Sequence, residues 1–259
     1  MSKILIGMVH LPALPGAPRA SLALGAIEAR AVEEAGLLRD AGFDGVVIEN
    51  FGDNPFFKSD VEPVTVAAMT RIVGSVCREL AGWRVGVNVL RNDARAALSI
   101  AAATGAQFIR VNVHVGAAAT DQGMIEGQAA QTLRLRRALG AAVEIWADVH
   151  VKHARSLAHD TIEREAEDAV KRGMAAALIV SGQGTGHATR AEDVQAVAQL
   201  KLAVPVIVGS GATIENAATL LRAADGVIVG TALKQNGATE APLDADRTRR
   251  FVDAARRAG

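Results

Sequence analysis

The fold of this chain follows from PVIVGSGAT (205–213) and DGVIVGTAL (225–233), two short runs near its C-terminus. Each run is rich in β-branched residues and ends in glycine and small polar residues, a pattern typical of a buried strand followed by a tight loop. A helical pattern lies between them at 214–222. Strands joined through a helix run parallel, so their C-terminal ends lie at one edge of the sheet. We therefore expect the two glycine-bearing loops to be neighbours.

Six further apolar runs precede these two, which gives eight predicted strands. The strands lie at 4–10, 45–50, 84–90, 108–114, 143–149, 176–182, 205–211 and 226–232. Helical patterns alternate with them at 24–41, 62–80, 93–104, 125–139, 160–172, 191–200 and 214–222, and a last one lies at 246–258. This alternation predicts parallel strands with helical crossovers, and eight such units in 259 residues match the usual size of a (β/α)8 barrel. We therefore predict an α/β protein in which residues 1–259 form a single TIM-barrel domain.

The composition argues against nucleic acid or a membrane as the main partner. The chain carries 28 basic and 28 acidic residues, and only 3% of its residues are aromatic. Balanced charge offers no binding surface for a polyanion, and few rings are present to stack on bases. No integral membrane segment of about 18 apolar residues and no secretory signal is recognisable. We expect a cytoplasmic protein that forms a homo-oligomer, as many soluble proteins do.

The loops after the last two strands predict a phosphate site. In TIM barrels the loops after strands 7 and 8 commonly bind phosphate. Glycine has no Cβ, so its backbone N–H groups can approach an oxyanion closely, and neighbouring hydroxyl groups can assist. The partner implied is a phosphorylated small-molecule ligand. The predicted phosphate-binding residues are Gly209, Ser210, Gly211, Gly230 and Thr231.

Strand 4 carries polar residues where a barrel has its active site, at the C-terminal end of the strand. In FIRVNVHV (108–115) the aliphatic residues share one face, and Arg110, Asn112 and His114 share the other. The polar face should point into the barrel or its mouth. A buried arginine needs a counter-charge, and we expect Glu49 at the end of strand 2 to supply it. A purely structural ion pair is an equally good interpretation of Arg110.

Strand 5 places Asp148 and His150 on one face, two residues apart. A carboxylate and an imidazole so arranged can act as a base with its orienting group, or can ligate a metal ion. Lys152 follows in the loop, where it could hold an anion or form a Schiff base, or could simply be solvated. Asp148 and His150 are thus the predicted proton-transfer residues, whereas Glu49, Arg110 and Asn112 would orient the substrate.

Single polar groups end several other strands, and together they are stronger evidence than any one alone. We predict that seven residues contact the substrate: His10, Asn50, Asn88, His114, Lys152, Ser181 and Gln183. A divalent metal ion is a candidate cofactor, with ligands among His10, Glu49, Asp148 and His150, although no tight histidine spacing marks a metal site. The connections at 11–20 and 116–124 could cover the ligand or serve as ordered spacers.

Eight blocks of this sequence, in order, resemble the BtpA/SgcQ family. They are MVHLPALPGAPR (8–19), DGVVIENFGDNPF (44–56), VGVNVLRND (85–93), RVNVHVGAAATDQGMIEG (110–127), WADVHVKHA (146–154), VSGQGTGHAT (180–189), VGSGATIEN (208–216) and DGVIVGTALK (225–234). The resemblance covers essentially the whole barrel. It implies a TIM barrel related to the ribulose-phosphate-binding barrels, which adds indirect support for the phosphate loops. It carries over no catalytic mechanism.

Two functional hypotheses follow. The first is an enzyme acting on a phosphorylated sugar-like metabolite as a lyase, isomerase or epimerase, since these reactions need a base beside a carbonyl group and stabilisation of an enolate. The second is a non-catalytic assembly or stability factor peripheral to membranes, of the kind that the family name associates with photosystem I biogenesis. The second predicts an exposed apolar or basic patch on the surface. It also predicts that the polar side chains at the strand ends pair with one another and leave no open pocket. The only basic segment of that type is RTRRFVDAARRAG (247–259), which also fits an ordinary final barrel helix.

Overall fold

A computed structural model describes residues 3–151, 154–182 and 189–257. Within them the strands, numbered in chain order, are β1 (Ile4–His10), β2 (Gly45–Glu49), β3 (Arg84–Asn88), β4 (Phe108–Val111), β5 (Ala117–Thr120), β6 (Gly123–Glu126), β7 (Glu144–Val149), β8 (Ala154–Ser156), β9 (Ala177–Val180), β10 (Val206–Val208) and β11 (Gly226–Val229). Eight of them form a closed parallel barrel in the order β1–β2–β3–β4–β7–β9–β10–β11, with β11 paired to β1. The predicted TIM-barrel fold is confirmed.

In the described residues, seven α-helices connect the strands of the barrel and an eighth follows the last strand. They are α1 (Leu24–Ala41), α2 (Pro63–Glu79), α3 (Ala94–Thr104), α4 (Ala129–Ala138), α5 (Ile162–Lys171), α6 (Ala191–Gln199), α7 (Ala217–Ala223) and α8 (Ala245–Arg256). Glycine follows the last residue of α1 and of α3: Gly42 and Gly105 adopt positive φ angles of 97° and 82°, which other residues adopt only with strain. No helix in the described part of the chain is long and apolar enough to cross a membrane.

An apolar plug fills the barrel below its mouth. Its centre is the stacked pair Phe108 and Trp146, with ring centroids 4.1 Å apart, surrounded by Ile6, Met8, Val47, Ala177, Ile179, Ile207 and Ile228. Gly86 on β3 leaves room for the Phe108 ring, because a Cβ there would overlap it. The plug closes the lower barrel to solvent, so that polar side chains can gather only above it, at the C-terminal ends of the strands.

The structure differs from the sequence prediction after β4 and after β7. β4 ends at Val111 rather than at residue 114. The expected loop at 116–124 and the start of the helix predicted at 125–139 instead form β5 and β6, which pair as a hairpin, and the helix begins at Ala129. β8, which follows β7, pairs with β5 to complete an antiparallel sheet of three strands. This accessory sheet buries Val113, Ala118 and Ile125 in a small core of its own. The alanine-rich β5 lacks hydrophobic alternation, so only its pairing with β6 and β8 makes it a strand.

Candidate functional site

The two glycine-bearing loops lie side by side, as the sequence predicts. β10 and β11 are adjacent parallel strands, with Val208 opposite Val227. The loops that follow them line one cavity of about 260 Å³, to which one loop contributes 209–213 and the other contributes 230–232. His10 and Arg110 line the same cavity. A ligand held by these loops would therefore also reach the polar residues at the mouth of the barrel.

The glycines in these loops have a packing role that does not require a ligand. A Cβ on Gly209 would lie 2.5 Å from the Ser181 hydroxyl oxygen and would overlap Ile179. A Cβ on Gly230 would lie 2.5 Å from Cε1 of His10. The side chains of neighbouring strands thus press directly against the loop backbone, and any larger residue would displace them. Glycine at these two positions is necessary for the barrel mouth to close, whether or not a phosphate binds there.

The hydroxyl groups of both loops are engaged in local hydrogen bonds. The Ser210 hydroxyl accepts a hydrogen bond of 2.9 Å from the Gly182 backbone N–H, which links the loops after β9 and β10. The Thr231 hydroxyl lies 3.0 Å from that of Thr239. Each hydroxyl retains a second hydrogen-bonding position, since a hydroxyl group can donate once and accept twice. Ser210 and Thr231 can therefore contact a ligand without releasing the contact that orders the loop.

Arg110 and Asp148 form the ion pair at the centre of the site. Nε and Nη2 of Arg110 each donate to one oxygen of Asp148 at 2.8 Å, and both side chains are buried. Asp148 on β7, rather than the predicted Glu49 on β2, is the direct partner, because β4 and β7 are adjacent strands and β2 is not next to β4. Burial opposes the charge on Arg110, but the attraction of Asp148 more than compensates, so the pKa of Arg110 is raised.

Three uncharged side chains complete this network. Ser181 donates to one oxygen of Asp148 at 3.0 Å, and Asn112 donates to the other at 3.1 Å. Asn88 in turn donates to the side-chain oxygen of Asn112 at 3.1 Å. Both oxygens of Asp148 thus accept two hydrogen bonds each, which leaves this carboxylate poorly placed to take a proton from a substrate. The side-chain oxygen of Asn88, by contrast, is buried and has no hydrogen-bond partner in the described part of the chain.

A second acidic group lies at the end of β2. Glu49 is buried, and its Oε1 lies 3.9 Å from Nε2 of His10 at the end of β1. The His10 ring packs against Phe51, with ring centroids 4.8 Å apart. The two groups are thus neighbours at the mouth of the barrel, although 3.9 Å is longer than a direct hydrogen bond.

Asn50 is buried next to Glu49 but serves the backbone. Its side-chain oxygen accepts a hydrogen bond of 2.7 Å from the Leu90 N–H, and its amide donates to Asp53 at 3.0 Å. Burial raises the pKa of Asp53, which also accepts a hydrogen bond from the Leu14 N–H. Asn50 therefore joins the loops after β1, β2 and β3, a role distinct from the predicted contact with substrate.

Two predicted histidines lie away from the centre of the site. β7 ends at Val149, and His150 has a φ of 50° that turns its exposed ring towards Glu165 on α5, 3.7 Å away. It does not share the face of Asp148. β4 ends three residues before His114. The Nε2 of His114 donates a hydrogen bond of 2.8 Å to the carbonyl of Gly173, which follows the C-terminal end of α5. Burial lowers the pKa of His114. The predicted residues Lys152 and Gln183 lie outside the described residues.

Two arginines at the site are absent from the sequence prediction. Arg91, just after β3, is buried, and burial lowers its pKa although the nearby Asp148 and Glu49 attract its charge. Its position directly after a strand, in VGVNVLRND, is the signal that could have identified it. Arg247 lines the ligand cavity from the first turn of α8. Nothing in the strand pattern points to Arg247, because it belongs to a helix.

The residues suggested as metal ligands do not form a ligand cluster. Asp148 is enclosed by hydrogen-bond donors, and His150 is turned away from it. Across 3–151, 154–182 and 189–257, no group of three or more histidine, cysteine, aspartate or glutamate residues is arranged to hold a metal ion.

The closed barrel of eight parallel strands, surrounded by helices, defines a TIM barrel. A solved structure of (S)-3-O-geranylgeranylglyceryl phosphate synthase from Thermoplasma acidophilum, in complex with sn-glycerol-1-phosphate, has a TM-score of 0.62 and 16% sequence identity, over 99% of this chain and 94% of that one. Phosphoribosyl anthranilate isomerase from Thermus thermophilus has a TM-score of 0.56 and 13% identity, over 97% of each chain. At these identities the likeness concerns the fold.

The family follows from the sequence itself. The model of the BtpA family matches residues 1–257, and the chain belongs to this family. The protein named photosystem I biogenesis protein BtpA, from Synechocystis, is 45% identical over 249 residues, which cover 96% of this chain and 86% of that protein. The resemblance inferred from the eight sequence blocks is thereby confirmed.

Proposed function

We propose that this protein is an enzyme that acts on a small phosphorylated, sugar-like metabolite. The observation that carries the proposal is that the loops after β10 and β11 and the His10 side chain line the same cavity. Backbone N–H groups of Gly211 and Gly230 would bind the phosphate, as in other barrels with glycine-rich loops at this position. The Gly209 N–H already donates to the Val180 carbonyl at 2.8 Å, so Gly209 would serve through its lack of a side chain. The solved structures of similar fold include proteins whose names contain a phosphorylated compound, which is consistent with the proposal.

The proton-transfer residues in this proposal are His10 and Glu49. Asp148 accepts four hydrogen bonds, which favours a structural role in which it positions Arg110 and Asn112 at the mouth of the barrel. His10 lines the ligand cavity and Glu49 lies directly behind it. An imidazole oriented by a carboxylate can remove a proton next to a carbonyl group and return it elsewhere, as an isomerase, epimerase or carbon–carbon lyase requires.

Stabilisation of the developing negative charge would come from the cationic group at the mouth. Arg110 lines the cavity, and its guanidinium is held in place there by Asp148. A fixed positive charge in a largely buried site stabilises an enolate more strongly than the same charge in water. The predicted class of reaction is therefore proton transfer at a carbon next to a carbonyl group.

The test combines ligand binding with a test of proton exchange. A panel of triose, tetrose and pentose phosphates and their unphosphorylated counterparts would be screened by thermal shift and ranked by calorimetry. We expect stabilisation by phosphorylated members alone, since a ligand that binds only the native state raises its melting temperature. Incubation of a binding compound with the protein in D₂O should then introduce deuterium next to its carbonyl group. Equal stabilisation by both halves of the panel would contradict the phosphate site.

A second candidate function is suggested by the Synechocystis relative, whose name assigns it to photosystem I biogenesis. A non-catalytic assembly factor would fit the fully paired Arg110–Asp148 centre. It offers no reason for an open cavity that joins two glycine loops to His10, and we therefore favour the enzyme. Association of the protein with photosystem subunits that persists in variants unable to bind phosphate would favour the assembly role.

A further inference from the structure

Arg247 reaches the ligand cavity from outside the barrel strands. It lies in the first turn of α8, and its side chain lines the cavity opposite residues contributed by the loops after β10 and β11. Its Nε donates a hydrogen bond of 3.0 Å to the carbonyl of Ala232, in the loop after β11. The guanidinium is therefore fixed against this loop.

The remaining donors of Arg247 are available to a ligand. The side chain makes no other hydrogen bond and no ion pair with the residues that the structure describes. Glu215, which also lines the cavity, is fully exposed and attracts Arg247 only at a distance. A guanidinium group carries five N–H donors in a rigid fork that matches a phosphate group, so the two Nη groups can bind an anion while Nε keeps its bond to the loop.

Charge distinguishes Arg247 from the other arginine of the cavity. The charge of Arg110 is matched by Asp148 at 2.8 Å. Among the described residues that line the cavity, Arg247 is thus the arginine whose charge is not neutralised by a buried carboxylate. A phosphate monoester carries close to two negative charges at neutral pH, more than the partial charges of backbone N–H groups can balance alone.

The loop that Arg247 contacts is itself anchored from the opposite side. Lys234, which ends this loop, is buried and donates to Glu34 on α1 at 2.7 Å. The Leu233 carbonyl accepts a hydrogen bond of 2.8 Å from the Asp244 N–H, just before α8. The loop is therefore held between α1 and α8, and Arg247 is attached to a support that is ordered before any ligand arrives.

We propose that Arg247 is a direct ligand of the substrate phosphate, and that the site takes the terminal phosphate monoester of a small metabolite. This inference rests on the proposed function, which it makes more specific. The cavity of about 260 Å³ lies below the range of about 300–1,000 Å³ usual for small-molecule sites, which favours a short carbon chain over a nucleotide. One cation without a buried counter-charge fits one terminal phosphate.

The experiment measures the affinity of the whole protein for inorganic phosphate by calorimetry. Arg247→Ala should raise the dissociation constant about 10- to 100-fold, the usual effect of losing hydrogen bonds to a charged group. Arg247→Lys should fall between this variant and the native protein, because it keeps the charge and loses the fork. Arg257→Ala is the matched control: it removes one positive charge next to the same helix, from an exposed residue that does not line the cavity.

The outcomes separate the inference from the proposed function. If the native protein binds phosphate and Arg247→Ala binds it within a factor of two, Arg247 is not a ligand, whereas the phosphate site stands. An equal loss in Arg257→Ala would also overturn the inference, because the effect would then reflect net charge. Failure of the native protein to bind phosphate or any sugar phosphate would refute the proposed function. Melting temperatures without ligand establish that each variant is folded.

Discussion

Replacing Asp148 by asparagine preserves the shape of the side chain and removes the charge that faces Arg110. In the native barrel each oxygen of Asp148 accepts one hydrogen bond of 2.8 Å from the guanidinium. An asparagine amide can accept at its oxygen only, so its NH₂ group would face an N–H donor of Arg110. The buried guanidinium would then lose its directly bonded counter-charge.

The size of the effect follows from burial. Breaking a buried ion pair by removing one partner costs about 3–5 kcal/mol, because the other charge is left uncompensated. For a chain of this size each kcal/mol lowers the melting temperature by about 2–4 °C, which gives a decrease of about 6–20 °C. Since domains are stable by only about 5–15 kcal/mol in total, the variant should be markedly easier to unfold.

The assay is chemical and thermal unfolding followed by circular dichroism. Asp253→Asn, a change of the same type at an exposed residue of α8, is the matched control and should alter the free energy of unfolding by about 0.5 kcal/mol or less. The double variant Arg110→Met with Asp148→Leu should regain most of the lost stability, because apolar replacements of both partners remove the need to compensate a charge.

One result would refute the reasoning. If Asp148→Asn were as stable as the Asp253→Asn control yet had lost turnover on its substrate, Asp148 would be the base and not the group that holds Arg110. The role proposed for His10 and Glu49 would then have to be abandoned.

The other predictions concern a second ion pair, a buried histidine and the proton-transfer pair. Glu34→Gln should lower the free energy of unfolding by about 3–5 kcal/mol, because it leaves the fully buried Lys234 without a counter-charge; urea unfolding measures this. The lowered pKa of His114 means that the unfolded chain takes up a proton more readily than the native protein as the pH falls below about 6.5, so stability should decrease with acidification. In His114→Gln the loss between pH 7.5 and 5.5 should be smaller by up to about 1.4 kcal/mol. His10→Asn and Glu49→Gln should each lower kcat by about 10²- to 10⁴-fold and leave the affinity for inorganic phosphate unchanged.

Each of these expectations has a result that contradicts it. Full stability of Glu34→Gln would mean that Lys234 finds another partner or is uncharged. Identical acid sensitivity of His114→Gln and the native protein would place the responsible proton uptake elsewhere. A parallel loss of kcat and of phosphate affinity in His10→Asn would indicate that the ring supports the second glycine loop, against which it packs, and takes no part in proton transfer.

The barrel could be predicted from the sequence because its strands and helices follow local patterns. The composition of PVIVGSG and GVIVGTA is enough to predict buried strands followed by tight loops. Glycine, a residue common just after helices, follows α1 at Gly42 and α3 at Gly105. The accessory sheet could not be predicted, since β5 is a strand only through pairing with two later segments, the adjacent β6 and the distant β8. A local pattern carries no information about such pairing.

The candidate site was predictable to the extent that strand direction determines it. Alternation placed Arg110 and Asn112 inside the barrel correctly, but it also placed His114 there, because the end of β4 at Val111 is not visible in the sequence. The partner of Arg110 depended on which strands are neighbours. Arg247 was missed because a residue of the last helix reaches the mouth only through the tertiary arrangement of α8.

The buried bond between Lys234 and Glu34 joins residues 200 positions apart, and β11 pairs with β1 across the same seam. The cavity lined by the loops after β10 and β11 is thus complete only when the last quarter of the polypeptide to be synthesised meets the first helix. A ribosome-bound chain that lacks this quarter lacks both loops, so binding of the proposed phosphorylated ligand would report that the barrel has closed. Bringing such distant segments together is slower than local helix formation. A metabolite that binds the native protein and is present during synthesis would stabilise the closed barrel as soon as it forms.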